Sequence, residues 1–432
     1  MTAVVGILNK SAIALAADSA VTVTFGNDRK ILNRANKIFT LSKYEPVGVM
    51  IYNSASLMAT PWEIILKVFR DELGTKAFPH LSDYLDAFLA FLKEKKFYST
   101  PEVQQEFATM LFSNFFNILN NQVFPNPKIN LSQLEQQEAI KRIEQCIGVF
   151  IEKIKSNPME LTPDFIDFTY EEFNTSFCAA SFDTAYKLVY SIYGIELSVE
   201  YKDLLKMLAF ENFKSTEFFS SYTGLVFAGY GQQEIFPRLL SLHVSNAVGE
   251  RLRYYIDDSE GQTISEMNFS AICPFAQQDV IETILLGIDP NLNDLYLENL
   301  HKFLSDYNES IAQVIKTNNP ELSKLILNLD IHEIVGKFAA QNQEIQTKRH
   351  LQPLLNAVAS LSKEDLAEMA ESLIYLTYLK RRMTNAEESV GGPVDVALIS
   401  KGDGFIWIKR KHYFKPELNQ PFFANYLKSY EL

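Results

Sequence analysis

The second residue of the chain is a threonine, and this position gives its side chain a particular chemistry. If Met1 is removed, Thr2 carries a hydroxyl nucleophile and a free α-amine that can accept the hydroxyl proton. The ordinary pKa of an α-amine is about 8, which suits a base working close to neutral pH. Many chains begin with Met-Thr and use neither group, so the surroundings decide what the pair means.

Two charged residues border short apolar segments and could support such a nucleophile. Asp18 ends the segment Leu15-Ala-Ala-Asp-Ser19, and Lys37 begins the segment Asn36-Lys-Ile-Phe39. A buried lysine beside Thr2 would lower the effective pKa of the hydroxyl, and Asp18 would hold that lysine charged and oriented. The structural alternatives are that Asp18 caps a turn and that Lys37 is a solvated strand end.

A third feature is the segment Tyr52-Asn-Ser-Ala-Ser56, where an apolar run leads into a helical pattern. Backbone N–H groups at such a junction can face a developing oxyanion. No motif for metal chemistry accompanies these residues. The three Cys share no CxxC spacing, and the six His show no paired-ligand spacing. We therefore expect no metal and no organic cofactor.

Composition narrows the class of protein further. The 432 residues are 47% hydrophobic and 12% aromatic, with only 17 Gly, which excludes fibrous and disordered classes. The net charge of −13 repels phosphate backbones, so nucleic acid is not an expected partner. A basic signal-peptide region and a long uncharged apolar run are both missing from the sequence. We therefore expect a cytoplasmic protein with no membrane partner.

The elements that must position these residues are mainly strands. Apolar segments at 3–8 and 12–17 predict one hairpin, and those at 37–41 and 47–52 predict a second. Helical patterns follow, strand patterns resume at 222–230 and 234–244, and a hairpin at 394–409 comes last. Nearly continuous apolar strands must be covered on both faces. The order of elements predicts an α+β fold, a four-layer αββα sandwich with two large helical insertions.

Several motifs in this order resemble proteasome β-type subunits, including bacterial proteasome homologues, within the N-terminal nucleophile (Ntn) hydrolases. They are Thr2-Ala-Val-Val-Gly, the segments around Asp18 and Lys37, the turn after Ile51, and Val390-Gly-Gly-Pro-Val-Asp395. Gly229-Tyr-Gly231 with Glu234-Ile-Phe-Pro237 resembles the central hairpin of that family. Pro274-Phe-Ala-Gln277 resembles the start of its third helix.

The resemblance implies a role for each matching position. Thr2 matches the nucleophile with its α-amine, Asp18 the carboxylate, and Lys37 the activating lysine. Tyr52 or Asn53 matches the glycine whose backbone N–H forms the oxyanion hole, and this replacement should narrow or reshape the substrate cleft. Glu387 and Ser389 are candidates for supporting groups. The implied activity is amide or peptide hydrolysis through Thr2, with a peptide or protein as substrate.

The resemblance also divides the chain. Residues 1–96, 221–290 and 362–412 form the expected discontinuous core, 97–220 and 291–361 are helical insertions, and 413–432 is a C-terminal tail. A homo-oligomer is expected by analogy, and the insertions could recruit a partner protein. Two other functions stay open, namely an inactive proteasome-like assembly subunit and an Ntn amidase that acts on a small molecule.

Overall fold

The structure, a computed structural model, describes residues 2–25, 28–97, 100–123, 133–217, 222–384, 391–412, 414–421 and 424. It is 54% helix and 21% strand with antiparallel sheets, which is compatible with the predicted α+β class. Among the helices described, none combines the length and apolar character needed to cross a bilayer.

The strands and helices alternate along the chain in blocks. The strands are β1 Ala3–Asn9, β2 Ile13–Ala17, β3 Val21–Phe25, β4 Asp28–Leu32, β5 Ile38–Thr40, β6 Val47–Asn53, β7 Ser56–Leu57, β8 Thr60–Pro61, β9 Thr223–Gly229, β10 Arg238–Val248, β11 Arg251–Thr263, β12 Ser270–Ala276, β13 Asp395–Ser400 and β14 Gly404–Lys409. The α-helices are α1 Trp62–Leu73, α2 Leu81–Lys95, α3 Pro101–Val123, α4 Gln133–Ser156, α5 Tyr170–Thr175, α6 Phe177–Val189, α7 Val199–Lys214, α8 Asp279–Leu286, α9 Pro290–Lys316, α10 Pro320–Leu327, α11 Ile331–Gln346, α12 Gln352–Ala359 and α13 Lys363–Met383.

These elements form two compact units. The first unit contains Met1–Ala35 and Thr263–Leu432, and the second contains Asn36–Gln262. Each unit has one five-stranded sheet, so the segments predicted as one core are divided between the units. The predicted first and second hairpins accordingly belong to different sheets.

The first unit is built on the sheet β12-β1-β2-β13-β14. β1 pairs antiparallel with β2, with Gly6 opposite Leu15, which confirms the first predicted hairpin. The hairpin of β13 and β14 is confirmed as well. Helices α12 and α13 pack on this sheet. All residues of β1, β2 and β13 are buried, as their continuous apolar sequences predict.

The expected helix start at Pro274 is wrong. Pro274 lies in β12, opposite Val5 of β1, and the helix α8 begins at Asp279. β12 is an edge strand, where a residue without a backbone N–H removes no hydrogen bond from a further strand. The apolar Ser270–Ala276 segment therefore continues the sheet past a proline that resembled a helix start.

The second unit is built on the sheet β11-β10-β9-β6-β5. β5 pairs antiparallel with β6, which confirms the second predicted hairpin, and β6 pairs with β9. The helices α1 and α2 lie over this sheet through a cluster that contains Trp62, Phe88 and Phe227. The described residues between 100 and 217 are mainly helical, as predicted, and they form a second cluster rich in phenylalanine, including Phe112 and Phe182. Part of the aromatic content of the sequence therefore lies in a separate core formed by helices.

Candidate functional site

Thr2 lies immediately before β1 in the first unit, where its side chain is only 5% exposed. Its carbonyl accepts a hydrogen bond of 3.2 Å from the Gln277 N–H. The next residue, Ala3, donates its N–H to Oδ1 of Asp18 at 2.9 Å, and its carbonyl accepts the Asp18 N–H at 3.1 Å. Hydrogen bonds with Gln277 and with Asp18 therefore fix the start of β1.

Asp18 is a buried carboxylate that holds three segments of backbone together. Oδ1 accepts the Ala3 N–H, while Oδ2 accepts the N–H groups of Ala20 at 3.0 Å and Gly391 at 3.1 Å. A carboxylate that accepts several backbone N–H bonds is held in one orientation. Asp18 thus connects the residue after Thr2 to the strand end of β2 and to the segment before β13.

Lys37 belongs to the second unit and directly precedes β5. Lys37 is only 3% exposed, so the alternative interpretation of this residue as a solvated strand end is wrong. Its carbonyl accepts the Ile51 N–H at 2.8 Å, which places it beside β6. Burying an ammonium group costs free energy unless the group is paired. A lysine buried at this position therefore needs polar partners.

Asn53, at the end of β6, has a φ of 67°, in the left-handed region that favours glycine. Asparagine tolerates this conformation better than most residues. The position that matches a family glycine therefore has the backbone geometry that glycine supports. Thr2 and Asp18 lie in one unit, whereas Lys37, Tyr52 and Asn53 lie in the other. Glu387 and Ser389 lie outside the described residues.

The Tyr52 side chain is directed into a polar network of the second unit. Its ring crosses Gly224 on the neighbouring strand β9, where an added Cβ would lie 2.0 Å from Tyr52 Cζ. Its hydroxyl donates to Glu260 Oε2 at 2.9 Å and lies 2.8 Å from His243 Nε2. The same carboxylate oxygen accepts the Ser241 hydroxyl at 2.7 Å.

His243 is the centre of this network and is 4% exposed. Its Nε2 lies 3.1 Å from Glu260 Oε2, and its Nδ1 lies 2.5 Å from the Tyr255 hydroxyl. When Tyr52 donates to Glu260, Tyr52 can accept from the His243 Nε2–H, and His243 Nδ1 can accept from Tyr255. A proton on Nε2 is therefore shared between Tyr52 and Glu260, while Nδ1 accepts from Tyr255.

Burial and charge set the protonation of the network. Burial, reinforced by the charge of Glu260, raises the pKa of Tyr52. Burial also raises the pKa of Tyr255, with a further contribution from Asp257. Burial opposes the ionisation of Glu260, but hydrogen bonds from His243 and Ser241 outweigh it, and the pKa of Glu260 is lowered. These pKa shifts favour an ionised Glu260 beside neutral Tyr52 and Tyr255.

One group within the described part of the chain has the composition of a metal site. His243, Asp257 and Glu260 offer donor atoms that all lie within 4.8 Å of one another. One imidazole and two carboxylates are ligands that zinc, manganese and iron accept. Glu260 Oε2 is already the acceptor of two hydroxyl groups, and Asp257 Oδ1 accepts the Ser259 N–H at 2.9 Å. These oxygens are thus satisfied by the protein itself.

The sequence patterns described above do not predict this network. The signal that could have found it is the alternation of Ser241, His243 and Ser245 along β10, which places three polar side chains on one face of a strand. Glu260 has no comparable local signal, because only the pairing of β10 with β11 brings it to His243.

Comparison of the chain with protein-family models gives no match, and comparison with curated protein sequences gives none either.

Proposed function

We propose that the chain is a threonine-type Ntn hydrolase that cleaves amide or peptide bonds through Thr2 after removal of Met1. The observation that carries the proposal is the buried start of β1, where the backbone beside Thr2 is fixed by the buried carboxylate of Asp18. The resemblance to proteasome β-type subunits supplies the roles. The proposed scaffold is a four-layer αββα sandwich.

In the proposed mechanism, Thr2 Oγ attacks the scissile carbonyl and the α-amine takes the hydroxyl proton. In the roles that the resemblance implies, Lys37 and Asp18 stabilise the ionised state of Thr2, and the backbone N–H groups near Tyr52 and Asn53 stabilise the tetrahedral oxyanion. The C–N bond then breaks, and the amine leaves with the proton from the α-ammonium. Water hydrolyses the resulting ester, which releases the acid and restores the Thr2 hydroxyl.

The test is intact-mass analysis after treatment with a peptide epoxyketone, which reacts with both the hydroxyl and the free amine of an N-terminal threonine. We expect a chain without Met1 that gains the mass of one reagent molecule. Thr2→Ala should abolish labelling, and Lys37→Ala should slow it by at least about 100-fold, the lower range for loss of an acid–base group. Thr384→Ala, a change at an exposed threonine, is the matched control and should label normally.

The outcomes separate the three functions. An unlabelled chain with Met1 intact contradicts the catalytic proposal and leaves the inactive assembly subunit. A labelled chain that hydrolyses peptide reporters is a protease. A labelled chain that hydrolyses only members of a panel of small acyl amides is an Ntn amidase.

A further inference from the structure

The helix α9 in the first unit has a wide apolar surface, of which only one part is packed. The helix packs against α10 and α11. Its partly buried positions recur at helical spacing and include Leu297, Leu300, Leu304, Asn308, Ile311 and Ile315. Ser323 of α10 donates its hydroxyl to the Ala312 carbonyl at 2.8 Å. On α11, the ring of His332 lies 4.3 Å from that of His301. One face of α9 is therefore packed against other helices of the same unit.

Another part of the apolar surface of α9 is exposed. It consists of Leu292, Tyr296, Phe303, Tyr307 and Val314, separated by four, seven, four and seven residues. At 3.6 residues per turn these five side chains lie within an arc of about 60° along about 33 Å of helix. These side chains adjoin Leu300 and Ile311 of the packed face, so α9 has one apolar arc that is wider than the part covered within the unit. We call these five residues the outer stripe.

The outer stripe is large enough to be an interface. Phe303 is 67% exposed, and Tyr296 and Tyr307 are each 56% exposed. With about 200 Å² per aromatic side chain, these three rings alone expose roughly 360 Å². That is nearly half of the roughly 800 Å² that one partner buries in a stable complex, before the rest of the helix surface is added. Aromatic side chains are also the residues that most often dominate binding energy.

The charges beside the outer stripe favour a second copy of the same helix as the partner. Lys302 and Asp306 are exposed and one turn apart, and both lie on the solvent side of the stripe around Phe303. If two α9 helices pair antiparallel about Phe303, each Lys302 lies opposite position 304 of the other helix. It is then about 3 Å along the axis from Asp306 of that helix.

We propose that α9 is a self-association surface, where the outer stripes of two copies of the chain pack antiparallel on a two-fold axis through Phe303. Phe303 then contacts its own copy, Leu292 lies opposite Val314, and two symmetric ion pairs join Lys302 to Asp306. Such an interface is isologous and closes at a dimer. The inference goes beyond the proposed hydrolase activity and does not depend on it.

The first experiment measures the association of the full-length chain by sedimentation across a concentration series. The wild-type chain should dimerise. Phe303→Asp should raise the dissociation constant at least about 30-fold, because two carboxylates would meet on the axis and a central aromatic contact is lost. Val149→Asp is the matched control, since Val149 of α4 is 68% exposed, close to the 67% of Phe303, but lies outside the outer stripe. It should leave the dissociation constant unchanged.

The second experiment tests the antiparallel register. Lys302→Asp or Asp306→Lys alone should weaken the dimer roughly threefold to tenfold, because each change turns both exposed, symmetric ion pairs into like-charge pairs. The double reversal should restore wild-type affinity. On mild oxidation, Phe303→Cys should form a disulfide with its own copy, whereas Leu295→Cys should not. A monomer at the highest soluble concentration, a dimer unaffected by Phe303→Asp, or a double reversal without rescue would each overturn the proposal.

Discussion

The clearest structural prediction concerns Asp18→Asn, which changes one oxygen of a buried carboxylate to an amide nitrogen. In its better orientation the new side chain keeps its oxygen toward the N–H groups of Ala20 and Gly391 and turns its NH₂ toward the Ala3 N–H. One hydrogen bond to a charged acceptor is then lost, and the other two lose the assistance of the charge. Hydrogen bonds to charged groups contribute about 1.5–3 kcal/mol, and an unsatisfied buried donor costs about 1–3 kcal/mol.

We therefore expect Asp18→Asn to lower the free energy of unfolding by about 2–4 kcal/mol. Urea unfolding measures this loss, and the m-value should not change. Amide hydrogen exchange should also become faster at Ala3, Ala20 and Gly391, because local opening of the start of β1 becomes easier. Asp258→Asn, at an exposed aspartate, should stay within about 0.5 kcal/mol of wild type. A loss below about 1 kcal/mol for Asp18→Asn, or unchanged exchange at these amides, would refute this account of Asp18.

Two further predictions concern the network around Tyr52. Since the pKa of Glu260 is lowered by folding, its contribution to stability is complete above its ordinary pKa and is lost as pH falls through the lowered value. The stability difference between wild type and Glu260→Gln should thus shrink on acidification from about pH 7 to about pH 3. The difference from Glu266→Gln, at an exposed glutamate, should stay constant; equal pH profiles for both variants would contradict the prediction. Gly224→Ala should cost about 2–4 kcal/mol, because its Cβ displaces the Tyr52 ring. In a Tyr52→Ala background the same change should cost less than about 1 kcal/mol; an equal cost in both backgrounds would show that the two residues are not coupled.

Much of the local structure follows from neighbouring residues. The β1–β2 hairpin and the β13–β14 hairpin were predictable because each joins two apolar segments through a few turn residues. The complete burial of β1 followed from its uninterrupted apolar sequence. Burial and turn formation depend on residues that are adjacent in the chain, so one sequence contains the necessary information.

Chemical residue types also pointed to part of the candidate site. A hydroxyl, a carboxylate and an amine can act together in amide hydrolysis, and the residues that carry them, Thr2, Asp18 and Lys37, are all buried. Burial of Lys37 could not be read from its position at a strand end, which is also the place of solvated lysines. The spacing of residues along the chain could not show the burial of Lys37 either, because burial depends on elements far away in the sequence.

Contacts between distant segments are visible in the folded structure alone. Gly391 reaches Asp18 because β13 pairs with β2, and Tyr52 shares a hydrogen-bond network with His243 and Glu260 because β6, β9, β10 and β11 lie in one sheet. Tertiary packing also left the outer stripe of α9 exposed while it covered the adjoining part of the apolar arc. The local elements and the chemical groups follow from the order of the amino acids. The pairing of segments separated by hundreds of residues depends on the free energy of the whole fold, and no local pattern encodes it.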